Sequence, residues 1–437
     1  MARETSSRLP DPSDRLAPLE RQVCDWLAGQ RKTMISLLAE VVNIDSGSSD
    51  KAGVDAVGER FRRCLAERCV DAAVISRETR GDILKATLAG RDAVDRASML
   101  LMGHCDTVFG KGEAARRPFA IVGNRAHGPG VADMKAGLVM NSFLMAAFQH
   151  FGCLDAPLVA LYTSDEEVGS AASRGVIEEE ARKAALVLNA EPGRVSGNLV
   201  SERKGGSFLR FRVKGKSAHA GVDFAAGASA ISELAHKIVA LDAITDIGRG
   251  VTLNVGLVAG GQSVNTTAPD AEGSIDLRYD TLRDRQDALD KIEDIIARNW
   301  VAGASATLEI TGEFPPLLAT AESADMFEHY RGAACDLGFD VGAERTGGCA
   351  DSGFAASVGA ATLCGTGPVG GKAHTTDEYV ELDTLVPRAQ AAALAIFRLD
   401  QAMTAARAEE SSASEAVHAL GRRRAESDAP QVRSGTL

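Results

Sequence analysis

Four short apolar runs in this chain each lead toward a carboxylate or an imidazole. Residues 98–102 run into Gly103-His104-Cys105-Asp106, 158–162 into Asp165-Glu166-Glu167, 185–188 into Glu191-Pro192-Gly193, and 361–364 precede His374. A fifth place, Asp133, follows the turn Gly128-Pro129-Gly130 and precedes a helix-like stretch over 136–151. Short apolar runs alternating with helix-length segments are the pattern of an α/β fold with a largely parallel sheet. In such a sheet, ligands gather beyond the carboxyl ends of the strands. The same pattern therefore constrains the fold and the place of the site.

At 437 residues the chain exceeds one ordinary domain and predicts two. Residues 1–16 read as a flexible leader, and 17–42 carry a helix-like apolar period. A main α/β domain is expected over 17–205 and again over 316–404. Near Gly205 the texture changes: 208–214 alternates apolar and basic side chains, as a half-exposed strand does. A helix over 227–241, strands over 252–258 and 271–279, a helix over 282–300 and a strand over 306–311 follow. This β-α-β-β-α-β order is the ferredoxin-like unit and predicts an inserted domain over 206–315, with sheet edges through which two chains could pair. Residues 405–437 are rich in Ala, Ser, Glu and Arg, with arginines at 422–424, and predict a disordered tail or a frayed helix.

The formal charge is 48 − 60 = −12, and nothing resembles a basic stripe, which argues against nucleic acid or an anionic membrane as partner. Eight cysteines without a Cys-x-x-Cys pair favour reduced, mostly buried thiols. The first residues lack an apolar signal-like run, and no stretch approaches the roughly 18 apolar residues of a membrane span. These features predict a cytoplasmic protein.

His104 at a strand end can bind a metal while Asp106, on the same side of an extended chain, orients the ring. Alone, the pair reads equally well as a surface loop. Asp133 in its tight turn can bridge two cations or cap the following helix. Three adjacent carboxylates at 165–167 repel one another. A cation relieves that cost, with one Glu as ligand and its neighbour as general base; a solvated acidic loop is the plain alternative. Glu191 could be a turn residue and His374 a loop histidine. Jointly, two imidazoles and three carboxylates suit a pair of divalent metal ions, zinc first, with cobalt or manganese as alternatives.

Residues 103–108, 128–137, 164–169 and 190–193, together with His374, resemble the five ordered signatures of the M20 metallopeptidases. That family includes glutamate carboxypeptidases, aminoacylases, acetylornithine deacetylase and succinyl-diaminopimelate desuccinylase. The resemblance runs from about Arg31 to Leu399 and implies a zinc-peptidase-like catalytic domain carrying an inserted lid and dimerisation domain. It implies that Asp133 bridges both metals, that His104 and Glu191 complete one site, and that Glu167 and His374 complete the other. Glu166 would take the proton of the attacking water and later deliver it to the leaving amine. Asp106 would orient His104.

Residues 215–221 resemble the family's lid histidine loop, which implies that His219 reaches the active site of a second subunit and stabilises the oxyanion there. Read alone, His219 is a turn residue. Asn265 and Arg278 match lid positions that bind a substrate carboxylate, a task suited to the arginine fork; a solvent-facing strand arginine is the alternative. Residues 347–352 resemble the segment that lines the substrate pocket with backbone groups, Gly348 among them. Arg345 and the Asn265-to-Arg278 spacing are similar to the glutamate carboxypeptidase branch. Glu313 and Phe314, however, stand where some glutamate-releasing members carry a basic side chain.

The expectation is a two-metal amidohydrolase acting on N-acyl amino acids or small dipeptide-like substrates with a free C-terminal carboxylate, as a homodimer through the lid. One alternative is a deacylase of the acetylornithine or succinyl-diaminopimelate kind. Another is a catalytically silent relative that binds peptides or amino-acid conjugates, against which the retained Glu166 argues.

Overall fold

The computed structural model describes residues 15–427 apart from residue 95, with side chains described up to residue 409. Its central sheet has six strands in the order Ala72–Ile75, Ile83–Leu88, Leu158–Thr163, Ser98–His104, Ala184–Asn189, Ala361–Leu363. The last four run parallel and the first two pair antiparallel, so the sheet is mainly parallel. Ser98–His104 and Leu158–Thr163 are buried along their whole length. Alternate side chains serve opposite faces: Met99 and Leu101 enter one apolar cluster with Leu138 and Phe143, while Leu100 and Met102 enter another with Ile177 and Phe354.

Helix Ala136–Phe151 closes directly on this sheet. A Cβ at Gly137 would lie 1.9 Å from the Ala190 carbonyl oxygen, so only glycine permits the approach. Taken with the preceding turn, Val131–Phe151 is apolar and long enough for a membrane span, yet it is almost wholly buried. Packing explains its apolarity.

The period over 17–42 is carried by two helices, Pro18–Gly29 and Arg31–Val42. The break falls at Gly29-Gln30, where glycine is a poor interior residue, while Leu27 and Met34 keep facing the same core. Leu16, assigned above to a leader, is buried against Cys24, Ala333 and Leu394; residues 1–14 lie outside the described residues. The last helix, Leu382–Ser427, spans 46 residues. The predicted disordered tail is therefore helical from 405 to Ser427, and 428–437 lie outside the described residues. Ala, Glu and Arg are strong helix formers, so a composition too polar for a core still suits a helix.

The insert has the predicted order: strand Gly205–Lys214, helix Ala230–Asp242, strands Thr252–Gly260 and Asp270–Tyr279, helix Leu282–Ala297, strand Ser305–Phe314. All pairings are antiparallel, with Thr252–Gly260 at one edge. Leu209, Phe211, Val213, Ile275 and Leu277 pack under its two helices in a separate apolar core. Beneath Trp300, Lys237 donates to the carbonyls of Ile295 (3.1 Å), Ile296 (2.9 Å) and Arg298 (2.6 Å) and pairs with Glu233 at 3.0 Å. Its ammonium thus satisfies carbonyls that the end of helix Leu282–Ala297 leaves without intrahelical partners. Removing either charge would strand the other in the interior, at a cost of about 3–5 kcal/mol. Both ends of the insert leave the body side by side: Arg203 and Leu317 exchange two backbone hydrogen bonds of 2.9 and 3.1 Å.

Candidate metal centre and active site

His104 ends its strand at the carboxyl side of the central sheet. Its Nε2 lies 3.2 Å from Asp133 Oδ1 and 3.7 Å from Glu191 Oε1. On the other side, His374 Nε2 lies 3.2 Å from Asp133 Oδ2 and 3.1 Å from Glu167 Oε2. Each oxygen of Asp133 faces a different imidazole, and each imidazole has a second carboxylate beside it. Asp133 is not a helix cap. The N-cap position of helix Ala136–Phe151 is Lys135, and Asp133 has φ −112° and ψ 90°, outside helical geometry.

Asp106 does more than the sequence suggests. It is fully buried, and its carboxylate accepts from Ser48 Oγ (2.6 Å), the Glu166 N–H (3.1 Å) and the Glu167 N–H (3.2 Å). Its own carbonyl accepts from His104 Nδ1 at 3.0 Å. A carbonyl can only accept, so Nδ1 carries the proton and the Nε2 lone pair is left for a metal. Asp106 therefore orients the ring and pins the turn from which Glu166 and Glu167 diverge. Asp165 supports that turn too, accepting from the Ala172 N–H (2.7 Å) and Ser173 Oγ (2.5 Å), and is no ligand.

Burial raises the Glu166 carboxyl well above the ordinary carboxylate range; His104 opposes this, and Glu191 and Glu167 add to it. Burial and the neighbouring Asp133 push Glu191 up to about 7. Hydrogen bonds to Asp133 and Glu167 push the His374 imidazole up to about 10. The cluster holds more buried carboxylates than its histidines can neutralise, and divalent cations would supply the missing charge. Glu167 Oε1 tests the fit: it is buried and has no hydrogen-bond partner, as befits an oxygen meant for a cation. His104, Asp133 and Glu167 offer ligand atoms that all lie within 4.8 Å of one another. These residues fit a metal centre.

The cluster is sealed at His104, whereas the His374 side chain is 54 % exposed. His374 also adopts φ 64°, a left-handed conformation costing a non-glycine residue about 1 kcal/mol or more. Its loop is held between the two-residue strand Gly370–Gly371 and strand Tyr379–Glu381 of a small sheet, not at the tip of Ala361–Leu363.

The candidate residues of the insert lie elsewhere. His219 and Asn265 sit on adjoining loops, joined by the Ala220 N–H donating to the Asn265 carbonyl at 2.9 Å and the Thr267 N–H to Ala218 at 2.9 Å. Among the described residues, no hydrogen bond or ion pair links either of them to the His104–His374 cluster. Arg278 is not solvent-facing. Nε (2.6 Å) and Nη2 (3.1 Å) grip the Asp276 carboxylate, Nη1 lies 2.9 Å from Cys349 Sγ, and the guanidinium covers Phe208. Gly348 accepts from Arg203 through its carbonyl at 3.1 Å. Arg345 pairs with Asp280 of the insert, and Glu313 with Arg285.

Two buried residues escaped sequence reasoning. Arg203, at the entry to the insert, also lies 3.2 Å from Cys364 Sγ; in sequence it is one of three charged residues in a row. Glu378 accepts from the N–H groups of Gly130, Ala132 and Asp133. Its only sequence signal is its nearness to His374. All eight cysteines are unpaired, six of them at least partly buried.

A centre of this kind, closing a mainly parallel sheet, is the equipment of a metal-dependent hydrolase. Residues 100–398 match the model of Peptidase family M20/M25/M40, and the chain belongs to that family. It is 28 % identical over 383 residues to carboxypeptidase G2 of Pseudomonas sp. (strain RS-16), covering 85 % of this chain and 90 % of that one. Identity to acetylornithine deacetylase of Edwardsiella ictaluri (strain 93-146) is 26 %, covering 82 % and 95 %. The crystal structure of the M20 family metallo-carboxypeptidase Sso-CP2 from Sulfolobus solfataricus superposes with a TM-score of 0.69 at 15 % identity, covering 84 % of this chain and 99 % of that one.

Proposed function

We propose that this protein is a two-metal amidohydrolase that cleaves the amide bond beside a free carboxylate, in N-acyl amino acids or small peptides. The observation that carries this is the Asp133 carboxylate, whose two oxygens face separate His–carboxylate pairs. His104 and Glu191 would hold one ion and His374 and Glu167 the other, with Asp133 shared. Zinc suits the mixed nitrogen and oxygen donors. When bound, the ions supply Lewis acidity toward the carbonyl and lower the pKa of water. Glu166 takes a proton from the attacking water and returns it to the leaving amine; its raised proton affinity suits both steps.

Carboxypeptidase G2 among the relatives supports release of a C-terminal amino acid. Arg278 would meet the substrate carboxylate along the edge that Asp276 leaves open, with Asn265 contributing and Gly348 lining the pocket. The acetylornithine deacetylase relative favours a second reading, a deacylase for which the acyl group is small and the amino-acid side chain is basic. Amine release should be measured from N-acyl derivatives of Glu, Asp, Gln, Lys, ornithine and apolar amino acids, each as free acid and as amide. Free acids should be cleaved, amides should be poor, and a chelator should abolish turnover. Equal cleavage of acids and amides would remove the carboxylate anchor, and full activity in chelator would remove the metals.

His219 is assigned to the active site of a second subunit, across a homodimer built on the lid, residues 206–315. Strand Thr252–Gly260, whose outer edge is open among the described residues, with Leu257 72 % and Val258 59 % exposed, supports such pairing. Glu166→Ala chains refolded together with His219→Ala chains should then recover part of the activity that each lacks. Heterodimers that form but stay inactive would sink the assignment. The net charge of −12 supports the expectation that neither nucleic acid nor an anionic membrane is a partner.

A further inference from the structure

We infer that Glu378 is a positioning residue that aims the Asp133 carboxylate at both metal positions; this rests on the metal centre proposed above. Glu378 is fully buried. Its Oε1 accepts from the N–H groups of Ala132 (2.8 Å) and Asp133 (3.0 Å), and its Oε2 accepts from Gly130 (3.0 Å). Three convergent donors fix the carboxylate, and the same bonds fix the backbone of 130–133.

That backbone needs an external hold. Gly130 has φ 71°, and Asp133 and Met134 depart from helical angles, so no regular ladder sets the direction of the Asp133 side chain. A bridging ligand tolerates errors of only about 0.5 Å. Among the described residues no Lys or Arg lies within ion-pair distance of Glu378; the buried Lys135 ammonium acts on it only from farther off, while donating to the Ile44 carbonyl at 2.9 Å. Burying a carboxylate with no cation in direct contact is costly, and the three N–H bonds that offset the cost set the shape of one turn. Glu378 also follows His374 in the same loop, and its carbonyl lies 3.0 Å from His127 Nδ1. One short stretch of chain therefore supplies a ligand to one metal and holds the ligand that both share. The two metal positions are coupled through it.

The test is Glu378→Gln. It keeps the size of the side chain but sets an NH₂ group against one of the three N–H donors. Thermal unfolding of the metal-free variant should stay within a few degrees of the parent protein. Co(II) binding, followed by visible absorbance in competition with a chelator, should weaken by about 10–100-fold at both sites. With saturating metal, kcat should fall while KM holds. A variant that binds both Co(II) ions with parental affinity overturns the inference and leaves the metal centre intact. A parent protein that binds no Co(II) overturns both. Should the variant fail to fold, amide hydrogen exchange of the parent decides. Slow exchange at Gly130, Ala132 and Asp133 in metal-free protein supports a turn held by Glu378 before metal arrives, and fast exchange there overturns it.

Discussion

Glu166→Ala is expected to cut turnover by about 100-fold or more while both metals remain bound. The two adjacent glutamates leave the Asp106-pinned turn in different roles. Glu167 Oε2 lies 3.1 Å from His374 Nε2, and its Oε1 is buried without a partner; it has the contacts of a ligand. Glu166 forms no ion pair with either imidazole among the described residues, and burial keeps its carboxyl ready to hold a proton. Alanine there removes the acceptor for the proton of water and the donor to the amine in one change, without touching a metal donor. Metal content and single-turnover kinetics on the same sample check this. If the variant loses metal, the roles of Glu166 and Glu167 are exchanged.

Asp133→Ala should act at the other extreme, emptying both metal positions and reducing activity to background. Two divalent ions a few ångströms apart repel strongly, and a carboxylate between them offsets that repulsion while bonding to each. With the bridge gone, each position keeps one imidazole and one carboxylate, too few donors for a tight tetrahedral site. Elemental analysis after dialysis would show the loss. Unchanged metal content would end the bridging role of Asp133, and loss of only one ion would make it a ligand to a single site.

What could be read from sequence follows a physical divide. Strands buried on both faces are continuous apolar runs, so Ser98–His104 and Leu158–Thr163 announce themselves, and groups at their ends are candidates by position. The six elements of the insert are legible for the same reason, since each carries its own period. Glu378 is invisible because its partners lie some 245 residues away in sequence, and a hydrogen bond leaves no local trace. The Lys237–Glu233 pair hides in plain view: an i, i+4 Glu–Lys pair normally marks a solvated helix face, and only the packing of a second helix above it shows that both are buried. The break at Gly29 leaves no mark on the apolar period, which runs through both helices, and the helix beyond 405 follows from helix propensity and not from an apolar pattern. Arg278 is legible as a strand residue, but its grip on Asp276 depends on the strand's local geometry and not on spacing alone.

The side-by-side entry and exit of the insert bear on how the chain is made. A ribosome delivers the first half of the body, then the whole insert, and only afterwards the strand Ala361–Leu363 and the long last helix. That helix closes over the first: Arg398 bonds Glu20 at 2.6 Å, and Gln390 donates to the Cys24 carbonyl at 2.9 Å. The insert has its own apolar core and can fold as it emerges. The body cannot, because one flank of its sheet and the cover of its first helix are still unsynthesised. Before the last helix is made, the nascent chain carries a finished insert beside a body whose apolar sheet face is still uncovered.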